Sequence, residues 1–202
     1  MTKIKICGLM TVADVSKVNR CAPEYAGFVF APQSQRRVSQ ETAAEMKAAL
    51  ASSIQAVGVF VNEEIHLIAG LVKANIIDLV QLHGDEDESY IRELKKHINC
   101  PVVKSVAVAN KAPKILPDQA DYILFDTAAK ERGGTGKRFD WSLIAETKEA
   151  FFLAGGLREE NVAEAIKAAN PYCVDVSSGV ETNGIKDENK MRRFIQLVRE
   201  VR

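Results

Sequence analysis

Phe151-Phe152-Leu153-Ala154-Gly155-Gly156 is an apolar run that stops on paired glycines. After a helix-patterned segment from Glu159 to Ala169 the pattern returns as Cys173-Val174-Asp175-Val176-Ser177-Ser178-Gly179. Short, continuous apolar runs of this kind belong to parallel strands covered on both faces. A helix between two of them makes a strand–helix–strand unit. An open doubly wound sheet carries its glycine-rich turn after the first strand. Here such turns close the last two, which is where a closed parallel barrel holds phosphate.

Outward from this unit the same alternation fills the chain. Upstream strands are expected at Lys3–Cys7, Tyr25–Phe30, Gln55–Val61, Ile76–Leu82, Pro101–Val106 and Tyr122–Asp126. Helices are expected over Thr11–Asn19, from Ser39 to about Leu50, over Glu63–Ala74, and from the acidic start Asp85–Glu88. A poorly patterned one spans Ala109–Leu116, a short one follows Asp140, and Asp187–Val201 closes the chain. Thr11 and Ser39 stand where N-caps belong. Eight strand–helix pairs of roughly 25 residues each predict an α/β protein, a single (β/α)8 TIM barrel domain covering residues 1–202.

The composition excludes several classes of function. A chain of 202 residues that is 47% hydrophobic can bury a core without staples. Its formal net charge of zero argues against a nucleic-acid binder built on phosphate contacts and against a surface held to acidic membrane. Cys7, Cys21, Cys100 and Cys173 are scattered and form no CxxC pair, so neither zinc nor a disulfide framework is expected. Met1-Thr2-Lys3 leads directly into a strand without a signal-peptide core, and no apolar run is long enough to cross a bilayer. A reduced, cytoplasmic protein is expected.

Chemistry in a barrel is done at the carboxyl ends of its strands. Cys7 ends the first strand in Lys3-Ile4-Lys5-Ile6-Cys7-Gly8 and Asp126 ends Tyr122-Ile123-Leu124-Phe125-Asp126, while His83 ends the fourth strand as a candidate substrate-binding contact or a polar rim residue. A carboxyl group partly enclosed at that rim has its neutral form favoured and can act as a general acid. Backbone amides at Gly155-Gly156 and Ser178-Gly179 can converge on a phosphate. Arg36, in the loop after the second strand, offers a fork that matches a carboxylate or phosphate. Gly133-Gly134-Thr135-Gly136-Lys137 lacks the leading glycine of a nucleotide-binding P-loop and opens no clear helix. A mobile loop over the mouth is the better expectation.

These residues, in order, resemble the phosphoribosylanthranilate isomerase family. The resemblance is carried by Lys5-Ile6-Cys7-Gly8, Gly27-Phe28-Val29-Phe30 with Ser34 and Arg36, Val57-Gly58-Val59-Phe60 and Gln81-Leu82-His83-Gly84. It continues through Asp126 with Gly133-Gly134-Thr135-Gly136, Leu153-Ala154-Gly155-Gly156-Leu157 with Asn161-Val162, and Val174 through Glu181. It implies an Amadori-type aldose–ketose isomerisation in tryptophan biosynthesis, without metal or cofactor. The implied partner is one small molecule, a phosphoribosylated anthranilate, with no nucleic acid and no membrane. Monomer and homodimer are both compatible with it. By position, Asp126 resembles the general acid and Cys7 the general base. Arg36 resembles the holder of the anthranilate carboxylate, while Gly155, Gly156, Ser178 and Gly179 resemble the phosphate cradle. A free thiol has a pKa near 8.5, so a modest fall, partly supplied by the cation formed on the substrate, would give ample thiolate.

Rival readings are another phosphate-gripping barrel or a sugar-phosphate binding module without turnover. An indole-glycerol phosphate synthase would want a lysine–glutamate set at the rim, and a flavin oxidoreductase a longer chain. Binding alone needs neither a thiol nor a carboxyl group at the mouth. One expectation comes from strand periodicity. Lys5 shares a face with Cys7, and Asp175 lies in the strand that closes against theirs, so the two should form a buried ion pair beneath the phosphate side of the site.

Overall fold

Eight parallel strands close into a ring in chain order, with β1 paired to both β2 and β8. They are β1 (Lys3–Cys7), β2 (Tyr25–Val29), β3 (Gln55–Phe60), β4 (Leu79–Leu82), β5 (Val102–Val108), β6 (Tyr122–Thr127), β7 (Phe151–Leu153) and β8 (Cys173–Val176). The computed structural model describes residues 1–111, 119–128 and 139–201. Helices α1 (Val12–Cys21), α2 (Gln40–Ala49), α3 (Ile65–Lys73), α4 (Glu88–Leu94), α5 (Val162–Ala169) and α6 (Glu188–Glu200) accompany the ring. The expected barrel is the observed one.

Side-chain alternation sorts each strand into an inner and an outer set. Tyr25, Val57, Leu79, Val103, Leu124, Phe152 and Cys173 form one buried cluster inside the ring. Ile4, Ile6, Ala26, Phe28, Phe60, Val80, Phe125 and Val174 point outward and join the larger core shared with the helices. At the amino end of the strands, Tyr122 stacks on Tyr172 at 5.2 Å, and Lys3 Nζ lies 4.8 Å from the Tyr172 ring centroid. These groups floor the barrel.

Short polar side chains cap the starts of four helices. Thr11 accepts a hydrogen bond from the Asp14 amide, Ser39 from Thr42, Asp87 from Tyr90, and Asp187 from both Asn189 and Lys190. Each satisfies a donor that the first helical turn leaves unpaired. Several expected elements differ in extent. Ile76–Asp78 precede β4 rather than opening it, because the Asp78 carboxylate caps the Ala56 amide at 2.7 Å. The short helix after Asp140 is a 3-10 turn, Trp141–Ile144. The helical stretch expected over Ala109–Leu116 and the glycine-rich loop Gly133–Lys137 lie wholly or partly outside the described residues. After β8 the chain makes a 3-10 turn, Ser178–Val180, and then an unexpected antiparallel hairpin, β9 (Glu181–Thr182) and β10 (Ile185–Lys186). Asn183 and Gly184 turn it with φ of 52° and 78°, the left-handed pair that tight hairpins require.

Lys5 and Asp175 meet as expected, with Nζ 3.0 Å from Oδ2 and Lys5 fully buried. The register places them side by side, Lys5 opposite Asp175 on β8 and opposite Tyr25 on β2. Two charges inside a barrel persist only as a pair, and removing one partner costs about 3–5 kcal/mol.

Candidate active site

Cys7 is the last inward residue of β1, one layer above Lys5, and it is partly exposed at the open mouth. Its neighbour across the strand pair is Gly27, and that glycine makes room for the sulfur. A Cβ there would stand 2.7 Å from Cys7 Sγ and 3.1 Å from Lys5 Nζ. Burial pushes the thiol pKa up, and the Lys5 ammonium beside it pulls the other way without prevailing. The expected fall in thiol pKa is therefore not a property of the resting site.

Asp126 occupies the matching inward position on β6. One carboxylate oxygen accepts from the Thr127 amide at 2.7 Å, and the other lies 3.4 Å from His83 Nε2. The Gln81 amide nitrogen stands 3.1 Å from His83 Nδ1. The ring is held between Gln81 on one side and Asp126 on the other. His83 thus meets the rim through Asp126. Its loop is stapled from below, where Lys104 Nζ donates to Gly84 O at 2.7 Å and pairs with buried Glu86 at 2.8 Å. Glu86 in turn accepts from the Gly84 and Asn62 amides.

Between these two positions lie the glycine turns after β7 and β8. Gly155 adopts φ +90°, and a Cβ on it would meet Thr127 Oγ1 at 2.4 Å and Asp126 Oδ1 at 3.0 Å. The Gly156 carbonyl is held by Asn161 Nδ2 at 3.0 Å, and Asn161 Oδ1 accepts from the Arg158 amide at 2.9 Å. The opening N–H groups of the Ser178–Val180 turn have no carbonyl within that turn to bond. Gly179 packs so closely that a Cβ would stand 2.1 Å from the Leu157 carbonyl oxygen. Gly179→Ala must therefore push the two turns apart. Overpacking of this kind costs about 1–3 kcal/mol, which lowers the thermal midpoint of a chain this size by roughly 2–12 °C. Substrate KM should rise more than kcat falls, and steady-state kinetics with a melting curve checks both.

Arg36 lies over Gly8, whose Cβ would meet the arginine Cδ at 2.4 Å. Its guanidinium donates to both oxygens of Glu181, at 2.8 and 2.7 Å. Glu181 also pairs with Lys186 at 2.5 Å, and Lys186 donates to the Ser177 carbonyl at 3.1 Å. Burial alone would raise the Glu181 pKa, but its bonds to Arg36 and Lys186 bring it below the ordinary value. Lys186 is 2% exposed, and burial lowers its pKa against the opposing pull of Glu181. Sequence reasoning gave neither Glu181 nor Lys186 a role. The Asn183-Gly184 pair was the available signal, since it predicts the hairpin that brings them together.

A separate groove of about 730 Å3 opens outside the mouth, lined by residues that include Asn62, Glu64, His66, Asp87 and Tyr90. It holds none of the sequence-predicted site residues. Among the described residues no cluster of His, Cys, Asp and Glu is arranged to hold a metal ion. No described helix is long and apolar enough to cross a membrane.

Residues 4–197 match the family model described as N-(5'phosphoribosyl)anthranilate (PRA) isomerase. A curated N-(5'-phosphoribosyl)anthranilate isomerase of Endomicrobium trichonymphae is 54% identical over 200 residues, covering 98% of this chain and 99% of that one. The crystal structure of phosphoribosyl anthranilate isomerase from Thermotoga maritima superposes with a TM-score of 0.86 at 36% identity, covering 98% and 99% of the two chains. A further isomerase structure, in complex with reduced 1-(o-carboxyphenylamino)-1-deoxyribulose 5-phosphate, gives 0.82 at 34% identity with the same coverage. The chain belongs to the N-(5'-phosphoribosyl)anthranilate isomerase family.

Proposed function

We propose that this isomerase of tryptophan biosynthesis works at the open mouth of its barrel, with Asp126 as general acid and Cys7 as general base. The reaction converts N-(5-phosphoribosyl)anthranilate into 1-(2-carboxyphenylamino)-1-deoxyribulose 5-phosphate. The supporting observation is the placement of the two groups. Both end inward-facing rows of one closed ring, on strands separated by β7 and β8, whose glycine turns lie between them.

Asp126 gives its proton to the furanose ring oxygen. The bond from that oxygen to C1 breaks, and the anthranilate nitrogen lone pair forms the C1–N double bond of a cationic imine. The positive charge acidifies the C2 proton, which Cys7 removes as thiolate. The electrons of that C–H bond form a C1–C2 double bond and neutralise the nitrogen, leaving an enol that tautomerises to the ketose. Substrate and product are isomers, so the scheme calls for no net oxidant or reductant, and its proton transfers are carried by Asp126 and Cys7.

Gly155, Gly156, Ser178 and Gly179 hold the phosphate through backbone N–H groups. Arg36 holds the carboxylate, its guanidinium already oriented by Glu181. Two anionic ends fixed in this way place the reacting carbons between acid and base. His83 serves the site by orienting Asp126. One domain over residues 1–202, a cytoplasmic location and the phosphoribosylated anthranilate as the small-molecule partner complete the reading.

The test is turnover itself. The purified protein should consume freshly made N-(5-phosphoribosyl)anthranilate, followed by loss of the anthranilate–sugar chromophore. No consumption above the uncatalysed decay would remove the proposal. Arg36→Met should raise KM by about 10- to 100-fold, the loss expected for a charged hydrogen bond. An unchanged KM would take the carboxylate away from Arg36.

A further inference from the structure

The acid–base scheme uses neither Lys5 nor Asp175, yet these two carry the only charge pair found inside the ring among the described residues. At their depth the wall is otherwise Tyr25, Val57, Leu79, Val103, Leu124 and Phe152. A purely structural pair needs no third group beside it. This one has the Cys7 thiol. The ammonium and the sulfur crowd the same point, 3.1 and 2.7 Å from where a Cβ on Gly27 would stand, while the ammonium donates to Asp175 at 3.0 Å.

We propose that Lys5 is a positioning residue for the isomerisation: its buried ammonium, steered by Asp175, faces the Cys7 sulfur and stabilises the thiolate that takes the C2 proton. This deepens the proposed function and rests on Cys7 being the base.

The charges around the sulfur come from four places. Lys5 is on its own strand, Asp175 on β8, Lys186 on the hairpin and Arg36 on the loop after β2. Lys186 and Arg36 are both tied to Glu181, which spends their charge elsewhere. Asp175 opposes ionisation of the thiol, and Lys5 favours it more strongly than Asp175 opposes it. Full burial works against the Lys5 charge, but Asp175 and Cys7 together outweigh it and hold the pKa above the ordinary value. The charged form of Lys5 is the favoured one. A carboxylate on one side keeps the ammonium in the barrel, and a thiol on the other gains a counter-ion when it ionises.

The test is the pH dependence of Cys7 alkylation by iodoacetamide, read at the Cys7 peptide by mass spectrometry so that the other three cysteines do not enter. Lys5→Met should move the alkylation midpoint up by about one pH unit or more, the usual effect of removing a neighbouring opposite charge. Asp175→Asn should move it down. Lys5→Met combined with Asp175→Asn removes the pair together, avoids a lone buried carboxylate, and should give a smaller upward shift. The low-pH limb of kcat/KM should follow in each case. A midpoint that stays at the wild-type position in Lys5→Met, or in the double variant if the single one does not fold, overturns the proposal. So does a shifted midpoint with an unmoved kinetic limb. Alkylation reads Lys5 acting on the sulfur whether or not that sulfur is the base, whereas turnover of Cys7→Ala tests the base itself. The two failures are thus separable.

Discussion

Cys7→Ala lowers kcat by about a hundred- to ten-thousand-fold, the usual worth of a positioned general base, and leaves KM within a few-fold of wild type. The reason lies in which contacts survive. Alanine keeps the β1 backbone and its pairing to Gly27, and the glycine turns and Arg36 are untouched. The substrate still binds, and Asp126 can still open the ring. The step that stops is proton removal at C2. A substrate deuterated at C2 should therefore keep its label in the variant while the wild-type enzyme releases it to solvent. The two observables are saturating rate and label retention. Wild-type turnover in Cys7→Ala would place the base elsewhere and leave the barrel assignment standing.

Asp126→Asn should cost a similar factor for a different reason. The amide is almost the same shape, so its oxygen can still accept from the Thr127 amide, which now bonds the carboxylate at 2.7 Å. What is lost is the acidic proton for the furanose oxygen. Ring opening then depends on acid from solvent, so the residual rate should climb as pH is lowered across a range where the wild-type rate is flat. A pH–rate profile measured for both proteins separates this from unfolding, which would depress the variant at low pH instead. An Asn variant with wild-type kcat would dismiss Asp126 as the acid.

Much of this site can be read from strand periodicity. Once Ile4 and Ile6 are assigned outward, Lys5 and Cys7 must face inward. Once the ring closes, Asp175 must stand beside Lys5. These are consequences of a period of two and a closed order, and both are local rules. The Glu181 network is of another kind. Arg36 and Glu181 are 145 residues apart, and their meeting depends on a two-residue turn at Asn183-Gly184 that follows an apparently finished strand–helix unit. The ionisation of the thiol is out of reach of any one stretch for a related reason. Burial and Asp175 are set there against Lys5 and Lys186, contributed from both ends of the chain, and no single stretch carries their balance.

The pairing of the first strand with the last has a cost in time during synthesis. Lys5 and its carboxylate partner are 170 residues apart. At ribosomal speeds of about 5–20 residues per second, one edge of β1 stays open for roughly 10–30 seconds, with an unneutralised ammonium beside it. A nascent chain in that state presents a sticky margin to chaperones and to other nascent chains, and the cylinder cannot seal until the final quarter of the polypeptide emerges.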